Sequence, residues 1–319
     1  MADPNLSEII TTTLRDRQKV LADNVSKGNA VLNFLSANGR VKNTDGGRTI
    51  VEELDYQENS TFKYYSGYEA LNISAVSVLS AAEYNWKQAA VVITASGLET
   101  EIQNTGKAQI INLIEARERN AMRTMANNLG GGILSDGTGT SSKQITGLAA
   151  MCPSDPTTGT YGSINRATFS FWQSQLWDFS TESVTASKTT IQRAMQTLAL
   201  RCQRGKDMTN FIAFGLTYYQ YFWESLTDIQ RITSTDKGVA GFKSLVFQQN
   251  VPVVYDDQMT AALGYFLNTD YLAWRPHTRR NMVPLSKREG VDQDAIVIPI
   301  VFAGNLTCSN ADLQGRMQA

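Results

Sequence analysis

The most regular hydrophobic pattern in the chain lies between Ser96 and Gly132. Its apolar residues recur at helical spacing and fall on one side of a helix: Ile102, Ile110, Leu113, Ile114, Ala121, Met125 and Leu129. Ser96 and Glu99 have the spacing of a capping box, and the three glycines at 130–132 predict the end of the helix. The pattern predicts a spine helix over residues 98–129, roughly 45 Å long at about 1.5 Å per residue. A helix of this length predicts a flattened molecule.

Two segments before this helix have patterns of their own. Residues 6–35 carry a thin apolar stripe among charged neighbours and predict a helical arm, which ends at Asn38-Gly39. This arm packs either on its own domain or on a neighbouring subunit. Residues 46–95 change to strand periodicity and predict a long β-hairpin, with Thr49-Ile50-Val51 and Glu83 to Lys87 in its two arms.

The turn of the predicted hairpin is rich in aromatic residues: it contains Phe62, Lys63, Tyr64, Tyr65 and Tyr68. A two-stranded ribbon is marginal in water by itself, and exposed tyrosines at its end are typical of a contact surface. The alternative is a hairpin folded over the core of its own subunit. We predict that these five residues contact a neighbouring subunit.

The second half of the chain predicts a mixed unit followed by strands. Residues 187–260 alternate between helical and strand patterns, and strand-like runs return at 263–274 and 295–302. A basic group separates these runs: Arg275, His277, Arg279, Arg280, Lys287 and Arg288. It could contact a phosphate backbone, but the nearby Asp292 and Asp294 favour ion pairs between subunits. We predict intersubunit contacts for Arg275, Arg279 and Arg280.

Composition narrows the function further. The 319 residues are 42% hydrophobic and carry a formal net charge of −1, which argues against a nucleic-acid binder with a large basic face. Cys152, Cys202 and Cys308 are scattered and include no CxxC pair, so we expect no disulfide framework or zinc site and a reducing site of folding. The N-terminus has no secretory pattern, and no run approaches the roughly 20 apolar residues that span a bilayer.

The sequence offers little material for catalysis. His277 is the only histidine, so hydrolase triads and histidine metal sites are not expected. Asp256 and Asp257 are neighbours in an extended segment, where successive side chains point in opposite directions. We therefore predict no catalytic, cofactor-binding or metal-binding residues. An aromatic cluster with Trp172 and Trp177 leaves a carbohydrate-active enzyme as one alternative.

The order of these parts resembles the major capsid proteins of tailed bacteriophages, which have the Hong Kong 97-like fold. Local runs over nearly the whole chain carry the resemblance: Gln144 to Leu148, Gly162 to Arg166 with Trp172, Asn268 to Leu272, Asp292 to Ala295, Val301 to Leu306, and Asn310 with Leu313-Gln314-Gly315. The resemblance implies an α+β fold with an N-terminal arm, an extended loop, a peripheral domain and an axial α/β domain. In this chain these would be residues 1–45 (arm), 46–95 (extended loop), 96–186 with 262–305 (peripheral domain, including the spine helix), and 187–261 with 306–319 (axial domain).

The resemblance also implies a function. It predicts a non-enzymatic shell protein of the virion, made in the cytoplasm of a bacterial host, that assembles through hexamers and pentamers around double-stranded DNA. Because the chain begins almost at the arm, a separate scaffolding protein is expected, together with a portal protein, a possible decoration protein and weak nonspecific contact with the packaged DNA. An encapsulin-type compartment, which encloses an enzyme instead of a genome, is the first alternative.

Overall fold

The computed structural model describes residues 28–99, 113–226, 245–289 and 294–319. Apart from the distorted turn Gly139–Ser142 and three short 3₁₀ segments, the helices within these ranges are α1 (Ala30–Ala37), α2 (Leu113–Leu134), α3 (Leu148–Met151), α4 (Ile191–Arg201) and α5 (Leu216–Ser225). The strands are β1 (Ile50–Asp55), β2 (Leu79–Tyr84), β3 (Lys87–Ser96), β4 (Thr160–Tyr161), β5 (Ile164–Asn165), β6 (Gln175–Asp178), β7 (Phe211–Phe214), β8 (Leu245–Phe247), β9 (Val251–Tyr255), β10 (Leu263–Leu267), β11 (Leu272–Pro276), β12 (Val283–Pro284), β13 (Arg288–Glu289), β14 (Ala295–Cys308) and β15 (Gly315–Gln318). The fold is α+β, as predicted.

One sheet of the described chain has six strands in the order β6-β15-β10-β7-β9-β8. The pairs β15–β6 and β7–β9 are parallel and the other pairs are antiparallel. All four residues of β7 are buried, as expected for an apolar strand in the middle of a sheet. Helices α4 and α5 pack on this sheet through a core that includes Met195, Leu198, Tyr218 and Phe222.

A second sheet is built on the fourteen-residue strand β14. Within the described ranges, β3 pairs with one side of β14 over ten residues, while β11, β12 and β13 pair with the other side. Helix α2 packs on β3. Met125, Leu129 and Ile133 lie at helical spacing on the buried face of α2, in the same core as Phe302 of β14. The predicted apolar face of the spine helix is confirmed at Ala121, Met125 and Leu129, which are buried.

Strands β1 and β2 form the base of the extended loop. They pair antiparallel from Ile50 opposite Tyr84 to Asp55 opposite Leu79. Ile50, Leu54, Ala82 and Tyr84 are buried against the main body, whereas the residues on the other face of the hairpin are exposed: Val51, Glu53, Asp55, Ala81 and Glu83. Alternation along each strand therefore fixes this hairpin to the body by one face.

Three predicted boundaries differ from the structure. The hairpin consists of β1 and β2, because β3, predicted as part of it, belongs to the sheet around β14. Strand β10, which the sequence placed with the peripheral residues 262–305, lies between β7 and β15 in the six-stranded sheet. Strand β6, placed within 96–186, joins the same sheet through β15. Both strands are only four or five residues long, and the pattern of so short a strand does not specify which sheet it will join.

The ends of the spine helix were predicted with mixed success. The capping box forms: Glu99 N–H donates to Ser96 Oγ (3.3 Å), and Ser96 N–H donates to Glu99 Oε2 (3.2 Å). The predicted end at the three glycines is wrong, because α2 continues through them to Leu134. Residues 6–27 of the predicted arm and residues 100–112 of the predicted helix lie outside the described residues.

Candidate intersubunit surfaces

The far end of the extended loop is highly exposed. Four of its aromatic side chains have relative exposures between 63% and 108%: Phe62, Tyr64, Tyr65 and Tyr68. The Phe62 and Tyr64 rings lie edge to face with centroids 5.1 Å apart, and Lys63 pairs with Glu69 at 3.0 Å. These contacts are local to the loop end. The alternative in which the hairpin end folds over its own core is therefore wrong for these residues. Their contact with a neighbouring subunit stays a prediction.

The base of the loop is held to the body by a partly buried ion pair. Arg275 on β11 donates through Nε (2.9 Å) and Nη2 (2.7 Å) to Glu52 Oε1 on β1, and Thr307 Oγ1 donates to the same oxygen at 2.7 Å. The Glu52 and Arg275 side chains are only 15% and 20% exposed. The structure thus gives Arg275 a partner inside its own chain, where the sequence predicted an intersubunit contact. Arg275 therefore anchors the base of the extended loop to strand β11.

Arg279 and Arg280 lie in a different environment. Both are exposed, on the turn between β11 and β12. The backbone of this turn is fixed, because Arg280 N–H donates to His277 O (3.0 Å), Ala303 N–H donates to Arg280 O (2.7 Å), and Arg279 N–H donates to His277 Nδ1 (3.1 Å). Two exposed guanidinium groups on a fixed turn are suited to contact an acidic partner surface.

The segments that carry the sequence resemblance meet in the interior. Asn305 Oδ1 accepts from Thr146 N–H at 2.9 Å, and Asn305 Nδ2 donates to Asn85 O at 3.0 Å. Asn268 N–H donates to Gln314 Oε1, and Gln314 Nε2 donates to Asn268 O, each at 3.0 Å. Asn268, Asn305 and Gln314 are buried. These amides satisfy backbone groups that would otherwise be buried without partners, so their role is structural.

Arg166 and Trp172 are further interior residues from these segments. Arg166 Nη2 donates to the carbonyls of Ala150 and Met151, both at 2.7 Å, and its guanidinium lies over the Tyr161 ring at 5.2 Å from the centroid. These carbonyls belong to the last turn of α3, where a positive charge is favourable. Trp172 Nε1 donates to Tyr161 O at 2.9 Å. Burial lowers the pKa of Arg166, and the two carbonyls and the Tyr161 ring offset part of the cost of burying its charge.

The aromatic cluster considered as a carbohydrate platform does not form. Trp172 lies in the core beneath α2, whereas Trp177 lies in the core of the six-stranded sheet. Asp178 accepts a hydrogen bond from Gln318 Nε2 (2.7 Å), and Glu182 pairs with Arg201 (2.9 Å). These residues therefore stabilise the fold and do not converge on a ligand site. In the described part of the chain, no three histidine, cysteine or acidic side chains are grouped closely enough to hold a metal ion.

Two acidic residues have pKa values shifted in opposite directions. Hydrogen bonds from Arg117 (Nη1 at 3.0 Å and Nη2 at 3.3 Å) lower the pKa of Glu99 in the capping box with Ser96. Burial raises the pKa of Asp256, whose Oδ1 accepts from Gln258 N–H at 3.0 Å. Burial also raises the pKa of the Cys152 thiol to about 12 and raises the pKa values of the buried Cys202 and Cys308 thiols. The three thiols are therefore unreactive at neutral pH.

Glu52, Leu71 and Ile73 were not predicted from the sequence as residues of these surfaces. Glu52 carried no signal because its partner is far along the chain. Leu71 and Ile73 on the extended loop are 53% and 95% exposed. Both alternate with polar residues, a pattern that predicts a strand with one face buried. Within the described ranges, no helix has both the length and the apolar character needed to span a bilayer.

Solved structures share this architecture along the whole chain. The cyanophage A-1(L) capsid asymmetric unit has a TM-score of 0.68 at 16% identity, over 100% of this chain and 99% of that chain. The capsid of a native GTA particle has a TM-score of 0.58 at 11% identity, over 100% and 95%. The encapsulin of the holo-SrpI complex from Synechococcus elongatus PCC 7942 has a TM-score of 0.60 at 11% identity, over 98% and 95%. No family model and no curated protein matches the sequence.

These likenesses define the fold of the chain. It has the Hong Kong 97-like fold of tailed-phage capsid proteins, as the sequence resemblance predicted. Because the sequence identities are only 8% to 16%, these likenesses establish the fold alone. The presence of an encapsulin among the neighbours means that the fold by itself does not distinguish a genome container from an enzyme container.

Proposed function

We propose that this chain is the major capsid protein of a tailed bacteriophage. Copies assemble through hexamers and pentamers into an icosahedral-type shell around double-stranded DNA. The protein acts through its surfaces and not as an enzyme. The observation that carries this proposal is the extended loop, whose base is anchored by Glu52 and Arg275 while its aromatic end lies exposed away from the body.

The exposed end of the loop is unfavourable in an isolated subunit. Transfer of Phe and Tyr side chains out of water lowers the free energy. Within the described chain, residues 57–75 bury none of their side chains. A neighbouring copy provides the missing surface. Many modest interfaces of this kind, each repeated by symmetry, add up to a closed shell that resists internal pressure. A net charge of −1 suits a shell that holds DNA without binding it tightly.

Deletion of residues 58–70 tests the proposal. We expect a soluble, folded subunit that forms no shells, because the buried base formed by β1 and β2 is retained. A second variant keeps the loop length and replaces Phe62, Tyr64, Tyr65 and Tyr68 with serine. It should also fail to assemble. Sedimentation and negative-stain microscopy of the expressed proteins are the measurements. Normal particles from both variants would refute the assigned role of the loop.

The second candidate function is an encapsulin-type compartment, and the likeness to the holo-SrpI encapsulin favours it. The contents of particles isolated from the native source distinguish the two functions. Double-stranded DNA protected from nuclease, with portal, terminase and tail genes nearby, supports the phage shell. An enclosed enzyme encoded by a neighbouring gene supports the compartment.

Further partners follow from the proposed phage function. We expect a separate scaffolding protein during assembly, a portal protein at one vertex and, in some particles, a decoration protein. The packaged DNA would make weak nonspecific contacts with the inner wall. The protein would be synthesised and assembled in the host cytoplasm and would end in the virion.

A further inference from the structure

Strand β3 has one open edge in the described chain. Its other edge pairs with β14 from Lys87 to Ser96, and no described strand lies on the open side. Gly97 N–H donates to Asp294 O (3.2 Å) in the same register, so the odd-numbered residues of β3 direct their backbone groups toward β14. The even-numbered residues Gln88, Ala90 and Val92 therefore direct their N–H and C=O groups outward.

The opposite side of β14 supports this assignment. Pro299 lies across from Val92, and its carbonyl accepts from Leu285 N–H at 2.9 Å, on the side away from β3. The pair Val92 and Pro299 is thus one that exchanges no hydrogen bonds. Arg117 Nη1 donates to Thr94 O at 2.8 Å and occupies the edge at its far end. Among the residues that the structure describes, the unpaired stretch of the edge is therefore Gln88 to Val92.

A groove runs beside this stretch. It has a volume of about 350 Å³ and lies between β3 residues 87–91, helix α2 and the segment 140–145. Met125, Leu129 and Phe302 give it an apolar floor. A long exposed strand edge is a template for pairing with another chain, and an apolar groove next to it would receive the side chains of an added strand.

The extended loop contains a segment that fits this edge. The segment Leu71-Asn72-Ile73-Ser74-Ala75-Val76 alternates apolar and polar residues as far as Ala75 and contains no charge, proline or glycine. The hydrogen bond within it, from Ser74 N–H to Asn72 Oδ1 (3.0 Å), is local. Leu71 and Ile73 are 53% and 95% exposed, and Val92 on the β3 edge is 55% exposed, on the face of the sheet away from the groove. Residues 71–76 and the edge residues 88–92 contain no charge, although Lys87 and Lys143 line the groove beside the edge.

We propose that Leu71–Val76 of one copy pairs as an added strand with the Gln88–Val92 edge of a neighbouring copy, with Leu71 and Ile73 directed toward the groove. The same chain cannot supply this strand. Its own segment lies beyond the far end of the β1–β2 pairing, six residues or about 20 Å from the start of β3. The inference rests on the proposed function, because it requires copies to meet in an assembly.

Cysteine cross-linking tests the pairing in assembled particles. Subunits with Ser74→Cys are mixed with subunits with Val92→Cys, assembled together and treated with a short bis-maleimide. The native cysteines do not interfere because all three are buried. We expect a cross-linked dimer in the mixed particles and none in particles of either variant alone. Cross-linking of Val92→Cys to itself would show edge-to-edge pairing and overturn the proposal, as would the absence of cross-links in normal mixed particles.

A backbone variant provides the second test. Ala90→Pro removes an N–H group that faces the open edge and leaves the β3–β14 hydrogen bonds in place. We expect a folded subunit that loses assembly, whereas the control Ala90→Val, which keeps the N–H, assembles. If Ala90→Pro does not fold, the cross-linking result decides. Normal particles from Ala90→Pro would overturn the strand pairing and leave the shell function standing. A wild-type chain that never assembles would instead contradict the shell function itself.

Discussion

Asn29 Nδ2 donates a hydrogen bond to the carbonyl oxygen of Gly130, 3.1 Å away, across 101 positions of the sequence. The same Asn29 caps helix α1, because its Oδ1 accepts from Leu32 N–H at 2.7 Å. One buried side chain thus joins the start of α1 to the last turns of the spine helix. The contact requires close approach, since a Cβ atom added at Gly130 would lie 3.0 Å from Asn29 Cβ.

Gly130 and Gly131 of the spine helix should therefore differ in their response to substitution by alanine. Gly131→Ala is expected to stabilise the subunit by about 1 kcal/mol, because alanine favours the helix and the new Cβ meets only the flexible end of Gln258 at 3.3 Å. Gly130→Ala gains the same propensity but displaces Asn29 from its cap, which costs about 1 kcal/mol or more. Urea unfolding of both variants is the measurement. Equal stabilisation by the two substitutions would contradict the role of Asn29.

This contact also shows what the sequence could and could not predict. Periodicity correctly gave the apolar face with Ala121, Met125 and Leu129, and local spacing correctly gave the Ser96 and Glu99 cap, because both signals depend on neighbours in the sequence. The glycines were misread as a helix end. Their purpose is close packing against Asn29 and against Ile145, which are distant in the sequence. Glycine allows both uses, and only the tertiary structure distinguishes them.

The same limit applies to the candidate contact residues. Arg275, Arg279 and Arg280 appear as one basic group in the sequence, yet the structure separates Arg275 from the other two. Arg275 and Glu52 are 223 positions apart, and their pairing depends on how the hairpin base meets β11. The exposure of the aromatic loop end was correctly predicted, because a two-stranded ribbon has no second layer that could cover the side chains at its end.

Removal of Arg275 should lower the stability of the unassembled subunit. Arg275→Ala leaves the Glu52 carboxylate partly buried without its cation, so we expect a loss of about 3 kcal/mol in the free energy of unfolding. Arg119→Ala is the control. It removes an exposed pair with Glu115 at 3.8 Å and should cost only about 0.5 kcal/mol. Denaturant unfolding of the unassembled subunits compares them. Similar losses for both variants would refute the anchoring role.

Reversal of charge at Arg279 and Arg280 should change the stability of the subunit very little but weaken its assembly. The double variant Arg279→Glu with Arg280→Glu is expected to change subunit stability by less than about 0.5 kcal/mol, because both side chains are exposed. Assembly should weaken, and added salt should partly restore it by screening the new repulsion. Lys206→Glu, an exposed charge reversal elsewhere, is the control. Light scattering at low and high salt measures the effect. Unchanged assembly at low salt would exclude this turn from the interface.

The capping box of Ser96 and Glu99 should make the stability of the subunit fall as the pH falls. Glu99 accepts hydrogen bonds from Arg117, and these lower its pKa below the ordinary value of 4.5. The ionised carboxylate is the stabilising form. Its contribution is therefore complete above pH 4.5 and is lost as the pH falls through the lowered pKa.

Substitution of Glu99 isolates this contribution from that of the other carboxylates. Glu99→Gln should cost about 1 kcal/mol at neutral pH, because the charge-assisted bonds to Arg117 weaken and the reciprocal bond to Ser96 N–H loses its carboxylate. The difference between wild type and variant should shrink toward zero under strongly acidic conditions. Glu115→Gln, on the exposed face, should change stability by only a few tenths of a kcal/mol at either pH. Urea unfolding at several pH values gives all three curves. A wild-type advantage that grew as the pH fell would require Glu99 to act in its protonated form and would contradict the ion pair with Arg117.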